Sequence, residues 1–293
     1  MVDTAVDKME RASEGRVWTP VPDALKRDLS ETFPGAGSAP DGLDEALARL
    51  LPYGFGNTHP RFFGWVHGGG TPAGLVPEII AAAMNSNAGG RDHAAIYVER
   101  QLISWVRELF GFPVSASGLT VSGTSMATLV ALKAARDAAT NFAARTGGVS
   151  ETKLVGYTSS EGHSCLARAF DLLGLGSNAL REISVDDEFT IDVGALQETI
   201  EKDSANGYVP FVVIGTAGTV NTGAIDDLAA LRQVASESQL WLHVDGAFGA
   251  AGILSDELRP KLSGIETADS LAFDFHKWLH VNYDAGFVLV RDG

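Results

Sequence analysis

From residue 118 onward the chain alternates short apolar runs with longer stretches of helical periodicity, and that alternation leaves few architectures open. Strand-like runs fall at 119–122, 154–158, 209–216, 240–245 and 270–274, with helical stretches between them near 125–145, 163–173, 193–204 and 227–237. The runs are apolar at consecutive positions, as in Phe211, Val212, Val213 and Ile214, so both faces of each strand are expected to be covered. An α/β fold follows, with a mostly parallel sheet flanked by helices. Ligands of such sheets sit at the carboxyl ends of the strands. Ser122, Thr216, Asp245 and Asp274 all fall where a run stops.

The preceding sequence has a different character. Residues 1–40 are polar and helix-capable, then broken by Pro34-Gly35-Ala36-Gly37-Ser38-Ala39-Pro40, so residues 1–50 read as an N-terminal helical arm with a linker and 51–293 as one large domain. Gly, Pro and aromatic residues at 52–70 indicate a shaped loop, in which Gly68-Gly69-Gly70 either admits a ligand or simply flexes. The apolar spacing at 96–110, followed by Gly111 and Pro113, predicts an amphipathic helix. With 45% apolar and 20% charged residues among 293, the chain has enough material for a sizeable core and reads as soluble. A net charge of −15 disfavours nucleic acid and anionic membranes as partners. One cysteine, Cys165, excludes an internal disulfide framework and a cysteine-rich metal site, so no metal is expected and a reducing cytoplasm fits. No secretory pattern and no apolar run of about 18 residues is present, so no membrane span is expected.

Chemistry concentrates near the end. The run carrying Asp269 and Asp274 leads into Phe275-His276-Lys277-Trp278, where a lysine among aromatics either snorkels to water or is held neutral for reaction. Upstream, Leu240-Trp241-Leu242-His243-Val244-Asp245 ends on a carboxylate followed by Gly246-Ala247-Phe248-Gly249. A reactive lysine and an acid able to face a cationic ring nitrogen point together to pyridoxal 5′-phosphate (PLP). Ser122-Gly123-Thr124-Ser125 opens an Ala-rich helix and can cradle a phosphate or serve as an ordinary N-cap. It is not a Walker A loop, and no Gly-x-Gly-x-x-Gly follows a strand. His163, at the start of another helix, either lies against an aromatic cofactor or is structural, and Cys165 reads as a small buried hydrophobe. Neither a Gly-x-Ser-x-Gly elbow nor a His-Glu-x-x-His helix appears. The small-residue loop from Thr216 through Thr219 to Gly223 admits a planar ring or is a turn with an Asp cap, and His276 is a hydrogen-bonding neighbour or merely packed. Taken in order, these are the parts of a PLP site.

At these residues the chain resembles the group II PLP-dependent amino acid decarboxylases, the family of the aromatic-L-amino-acid, histidine and glutamate enzymes. The resemblance runs from Asn57-Thr58-His59-Pro60-Arg61-Phe62-Phe63 through Ala127-Thr128-Leu129-Val130-Ala131-Leu132, Gly162-His163-Ser164, His243-Val244-Asp245-Gly246-Ala247 and His276-Lys277-Trp278 to Val281-Asn282-Tyr283-Asp284. It implies the large domain of fold type I, the aspartate aminotransferase-like architecture, with a seven-stranded sheet. It further implies that Lys277 bonds the cofactor, Asp245 pairs with the ring nitrogen and His163 stacks on the ring. Gly123, Thr124 and Ser125 would hold the phosphate with help from His276, Thr219 would lie near the cofactor, Ala247 would pack beneath it, and Phe63 and Trp65 would wall the substrate pocket. The implied reaction is decarboxylation of an L-amino acid to its amine by a homodimer; a lyase, a decarboxylation-dependent aldehyde synthase and a non-catalytic paralogue are the alternatives.

The pattern departs from the aromatic enzymes at Asp274-Phe275, where they carry Asn-Pro, and at Trp65-Val66-His67-Gly68, so an Asn-phosphate contact and their substrate preference do not carry over. Family members continue beyond the position of Gly293 with a catalytic loop and a small C-terminal domain, so a fragment of a longer enzyme or a defective relative is expected.

Overall fold

The computed structural model describes residues 2–30, 42–87 and 92–292; the expected linker at 34–40 lies outside them. The chain divides into two compact bodies, Met1–Met84 with His280–Asn282, and Asn85–Leu279 with Tyr283–Gly293. Residues 51–84 thus belong with the helical arm rather than with the sheet.

The first body contains α1 (Val2–Glu10), α2 (Asp23–Asp28), α3 (Leu43–Leu50) and α4 (Leu75–Met84). Its glycine-rich stretch is pinned rather than loose: the Gly69 N–H donates to His280 Nδ1 and the Thr71 N–H to Asn282 Oδ1. Phe55, Phe62, Trp65 and His67 form a ring cluster with centroids 5.3 to 6.3 Å apart.

The second body is built on seven strands: β1 (Ser117–Val121), β2 (Leu154–Ser159), β3 (Leu180–Ile183), β4 (Val209–Thr216), β5 (Trp241–Asp245), β6 (Ser270–Asp274) and β7 (Gly286–Val290). Their order is β1-β7-β6-β5-β4-β2-β3, parallel throughout except that β7 runs antiparallel to both neighbours. Its helices are α5 (Ala94–Leu109), α6 (Thr124–Ala139), α7 (Ala144–Gly147), α8 (Cys165–Leu172), α9 (Val193–Ala205) and α10 (Leu228–Glu237). The helix expected over 125–145 is therefore two. Asn141 and Phe142 adopt left-handed backbone, and the chain turns back so that Arg145 joins Lys133 and Arg136 on the fully buried Asp137.

Strand parity explains the layers, because alternate side chains point to opposite faces. Leu242, Val244, Leu271, Phe273, Phe287 and Leu289 pack with α5, α9 and α10 on one face. On the other, Ala272 and Val288 meet Ala127 and Ala131 of α6, while Val212 and Ile214 meet α8. Each buried aliphatic or aromatic side chain contributes about 1.5–3 kcal/mol, and the alanines let α6 approach the sheet closely. Counting in twos from His243 and Ala272 puts Asp245 and Asp274 on this α6 face, at the strands' carboxyl ends. Among the described residues no helix is long and apolar enough to cross a membrane.

Candidate active site

Four loops leave the carboxyl ends of β2, β4, β5 and β6 and, with the first turn of α6, enclose a cavity of about 310 Å³. All nine residues singled out from the sequence, Gly123, Thr124, Ser125, His163, Thr219, Asp245, Ala247, His276 and Lys277, line it. Phe63 and Trp65 lie in the first body, 93% and 73% exposed.

Register places the acid. Asp245 is paired between Thr216 of β4 and Ala272 of β6, is 3% exposed, and accepts the Ala247 N–H at 3.1 Å. Burial raises its pKa against the opposing pull of that hydrogen bond, Lys277 and His163. A buried carboxylate so destabilised gains on meeting a cation. His163 opens on the cavity with its pKa lowered, chiefly by the burial it does have. Its Nδ1 accepts the Cys165 N–H at 3.2 Å, which fixes the neutral ring with its proton on Nε2. Burial lifts the Cys165 thiol to about 12, so it is an inert packing group.

Lys277 is not stranded among aromatics: its Nζ pairs with Asp274 Oδ2 at 3.2 Å, and its side chain is 20% exposed. His276 is buried, accepts the Ala285 N–H at Nδ1, places Nε2 3.5 Å from Asp274 Oδ2, and lies 4.1 Å from the Tyr283 ring. Phe248 and Trp278 stack at 4.6 Å and 6°, tying the loop after Asp245 to the loop carrying Lys277.

Of the two readings open for the start of α6, the ordinary side-chain N-cap is not seen. The N-cap residue is Gly123, and no side chain of Ser122, Thr124 or Ser125 caps the helix; instead Asp274 Oδ1, 150 residues away, accepts the Thr124 N–H at 2.7 Å. Thr124 Oγ1 and Thr216 Oγ1 are buried on the cavity wall with no hydrogen-bond partner. Buried hydroxyls left unpaired are uncommon, and both fit a polar ligand. Gly123 faces the same wall, with His276 Cε1 and Asp274 Oδ1 3.5 and 3.7 Å from where a Cβ would stand, an ordinary contact distance. Thr219 is 3% exposed, but its hydroxyl is already engaged with Thr222 at 2.6 Å.

Sequence reasoning gave no role to Glu161, Tyr283 and Asp284, which also line the cavity. Glu161 lies two residues before His163, and Tyr283 and Asp284 close the last motif, so proximity to those motifs was the available signal.

Comparison with known proteins agrees with this geometry. The aromatic-L-amino-acid decarboxylase of Bacillus atrophaeus is 37% identical over 295 residues, covering 99% of this chain and 60% of the relative. Among solved structures, mouse CSAD superposes with a TM-score of 0.91 at 30% identity, covering 99% of this chain and 61% of that one. Oryza sativa TDC with PLP and tryptamine superposes at 0.87 and 28% identity, covering 99% and 62%. The chain spans about three fifths of the length of each. The fold is that of the type I PLP decarboxylases, a mixed seven-stranded sheet flanked by helices. The pyridoxal-dependent decarboxylase conserved domain matches residues 22–293, and the chain belongs to that family.

Proposed function

We propose that this chain supplies the PLP-binding part of an enzyme that decarboxylates an L-amino acid to its amine and CO₂. The observation that carries the reading is that Lys277 and the buried Asp245 open into one cavity beside the N-terminus of α6. PLP, when bound, supplies a conjugated cation that accepts the electron pair left as the carboxylate departs.

The residues divide the remaining work. Lys277 offers the amine for the cofactor's aldehyde, and that amine must be neutral to attack. Asp245 would pair with the protonated ring nitrogen, since its carboxylate is desolvated and favours a cationic partner. His163 presents its ring to the cavity with one nitrogen already tied down. Gly123, Thr124, Ser125 and His276 would hold the phosphate, and Thr219 and Ala247 line the same cavity. An amino acid is the substrate, and the relatives' names make an aromatic one the first to test.

The protein acts in the cytoplasm as a homodimer. Supporting the dimer, Val76, Ile79, Ile80 and Met84 leave α4 with an exposed apolar surface, of the kind that marks an interaction site.

The test is to add PLP to the purified protein, record the absorbance spectrum, and screen amino acids for CO₂ and amine. A visible band that disappears in Lys277→Ala, together with stoichiometric amine, is the expected result. An unchanged spectrum in Lys277→Ala overturns the assignment, and aldehyde with ammonia and peroxide identifies an aldehyde synthase instead.

A further inference from the structure

Asp274 is the cavity residue whose charge is hardest to reconcile with an anionic ligand. It ends β6 on the face covered by α6 and is 3% exposed. Three groups hold it: the Thr124 N–H at 2.7 Å on Oδ1, with Lys277 Nζ at 3.2 Å and His276 Nε2 at 3.5 Å on Oδ2. Each belongs to a residue that the functional reading assigns to the cofactor. The first amides of a helix lack intrahelical partners, and the dipole there favours an anion. A carboxylate from β6 satisfies that demand in the same way as a phosphate. Next to it, the 4% exposed Thr124 keeps its hydroxyl unpaired, so the cradle retains a donor that the carboxylate does not use.

We propose that Asp274 is an internal stand-in for the cofactor's phosphate. In the ligand-free protein its carboxylate holds the α6 amide and the Lys277 side chain in place, and an entering phosphate competes with it for the amide. The inference rests on the functional reading above. Two anions on one cradle repel, and a buried site screens that repulsion weakly. Asp274 therefore orders the empty site and weakens phosphate binding at the same time. It is a positioning residue, acting through Lys277 and the start of α6.

Asp274→Asn keeps the shape and one acceptor for the Thr124 N–H while removing the charge. The probes are inorganic phosphate and 4′-deoxypyridoxine 5′-phosphate, which lacks the aldehyde and so cannot bond Lys277. Isothermal titration is expected to show both binding at least tenfold more tightly to Asp274→Asn than to wild type, while the ligand-free variant melts at a lower temperature. A folded variant that binds both probes with equal or lower affinity overturns the inference. If the variant folds only when phosphate is supplied, the stand-in role is supported; if phosphate does not rescue it, the role is refuted. The underlying reading fails separately, when wild-type protein shows no Lys277-dependent PLP band at all.

Discussion

His243 lies two residues before Asp245 on the same face of β5, and its surroundings show what the sheet imposes on a titratable group it does not open to the cavity. The ring is fully buried, with Nδ1 2.8 Å from Ser270 Oγ, which also accepts the Trp241 Nε1–H at 2.8 Å, and Nε2 3.5 Å from Thr128 Oγ1. Burial pushes its pKa down to about 3, against about 6.5 in an unfolded chain. Below pH 6.5 the unfolded chain therefore takes up a proton that the folded one refuses, and stability falls by up to about 1.4 kcal/mol per pH unit as the pH drops towards 3. Urea unfolding at pH 7 and pH 5 is expected to show wild type losing about 2 kcal/mol more than His243→Gln over that interval; equal losses refute the buried neutral imidazole. At this scale the sequence reveals reactive types in order, because Lys277, Asp245 and His163 stand at ends of recognisable elements. The Asp274 contact with Thr124 was illegible, since it joins an acceptor to an amide 150 residues away and no local pattern records which helix a strand end will meet.

Elements are legible where they are long and apolar on both faces. β4, β5 and β6 are such runs, and their ends position Thr216, Asp245 and Asp274. β3 passes unnoticed because it is a four-residue edge strand, Leu180–Ile183, carrying Arg181 and Glu182, with Ile183 alone fully buried. β7 is apolar enough, but nothing in a local reading shows that it inserts antiparallel between β1 and β6. That insertion fixes the cradle: Gly286 starts β7 against Val121, and a Cβ on it would fall 2.4 Å from Gly123 Cα. Neither backbone can yield without moving the start of α6. Gly286→Ala is expected to cost about 1–3 kcal/mol as an overpacked contact and to weaken PLP binding at least tenfold. Gly118→Ala is the control, since its Cβ meets Val288 O at 2.6 Å three residues earlier on β1, away from the cradle. Thermal melts with PLP titrations check the pair. Loss of stability in both with loss of binding only in Gly286→Ala is the expected pattern, and intact binding in Gly286→Ala sinks the link between β7 and the phosphate site.

The net charge of this chain works against the charge of the ligand proposed for its cavity. Its 22 basic and 37 acidic residues give a net charge of −15, and the cavity itself is lined by Glu161, Asp245, Asp274 and Asp284 against one lysine. PLP carries a phosphate, so its approach is up a repulsive potential, and on the proposed reading the short-range contacts with α6, Lys277 and Asp245 favour it once inside. Screening acts on the first of these far more than on the second: the Debye length shrinks from about 30 Å at 0.01 M to about 10 Å at 0.1 M salt, while contacts inside a partly buried cavity are little affected. Raising sodium chloride over that range is therefore expected to speed PLP association about two- to fivefold, measured by stopped-flow absorbance under excess cofactor. Pyridoxal, which lacks the phosphate, serves as the comparison and should show almost no change. A PLP association rate that falls as salt rises would mean that a local positive field, not the acidic whole, governs entry.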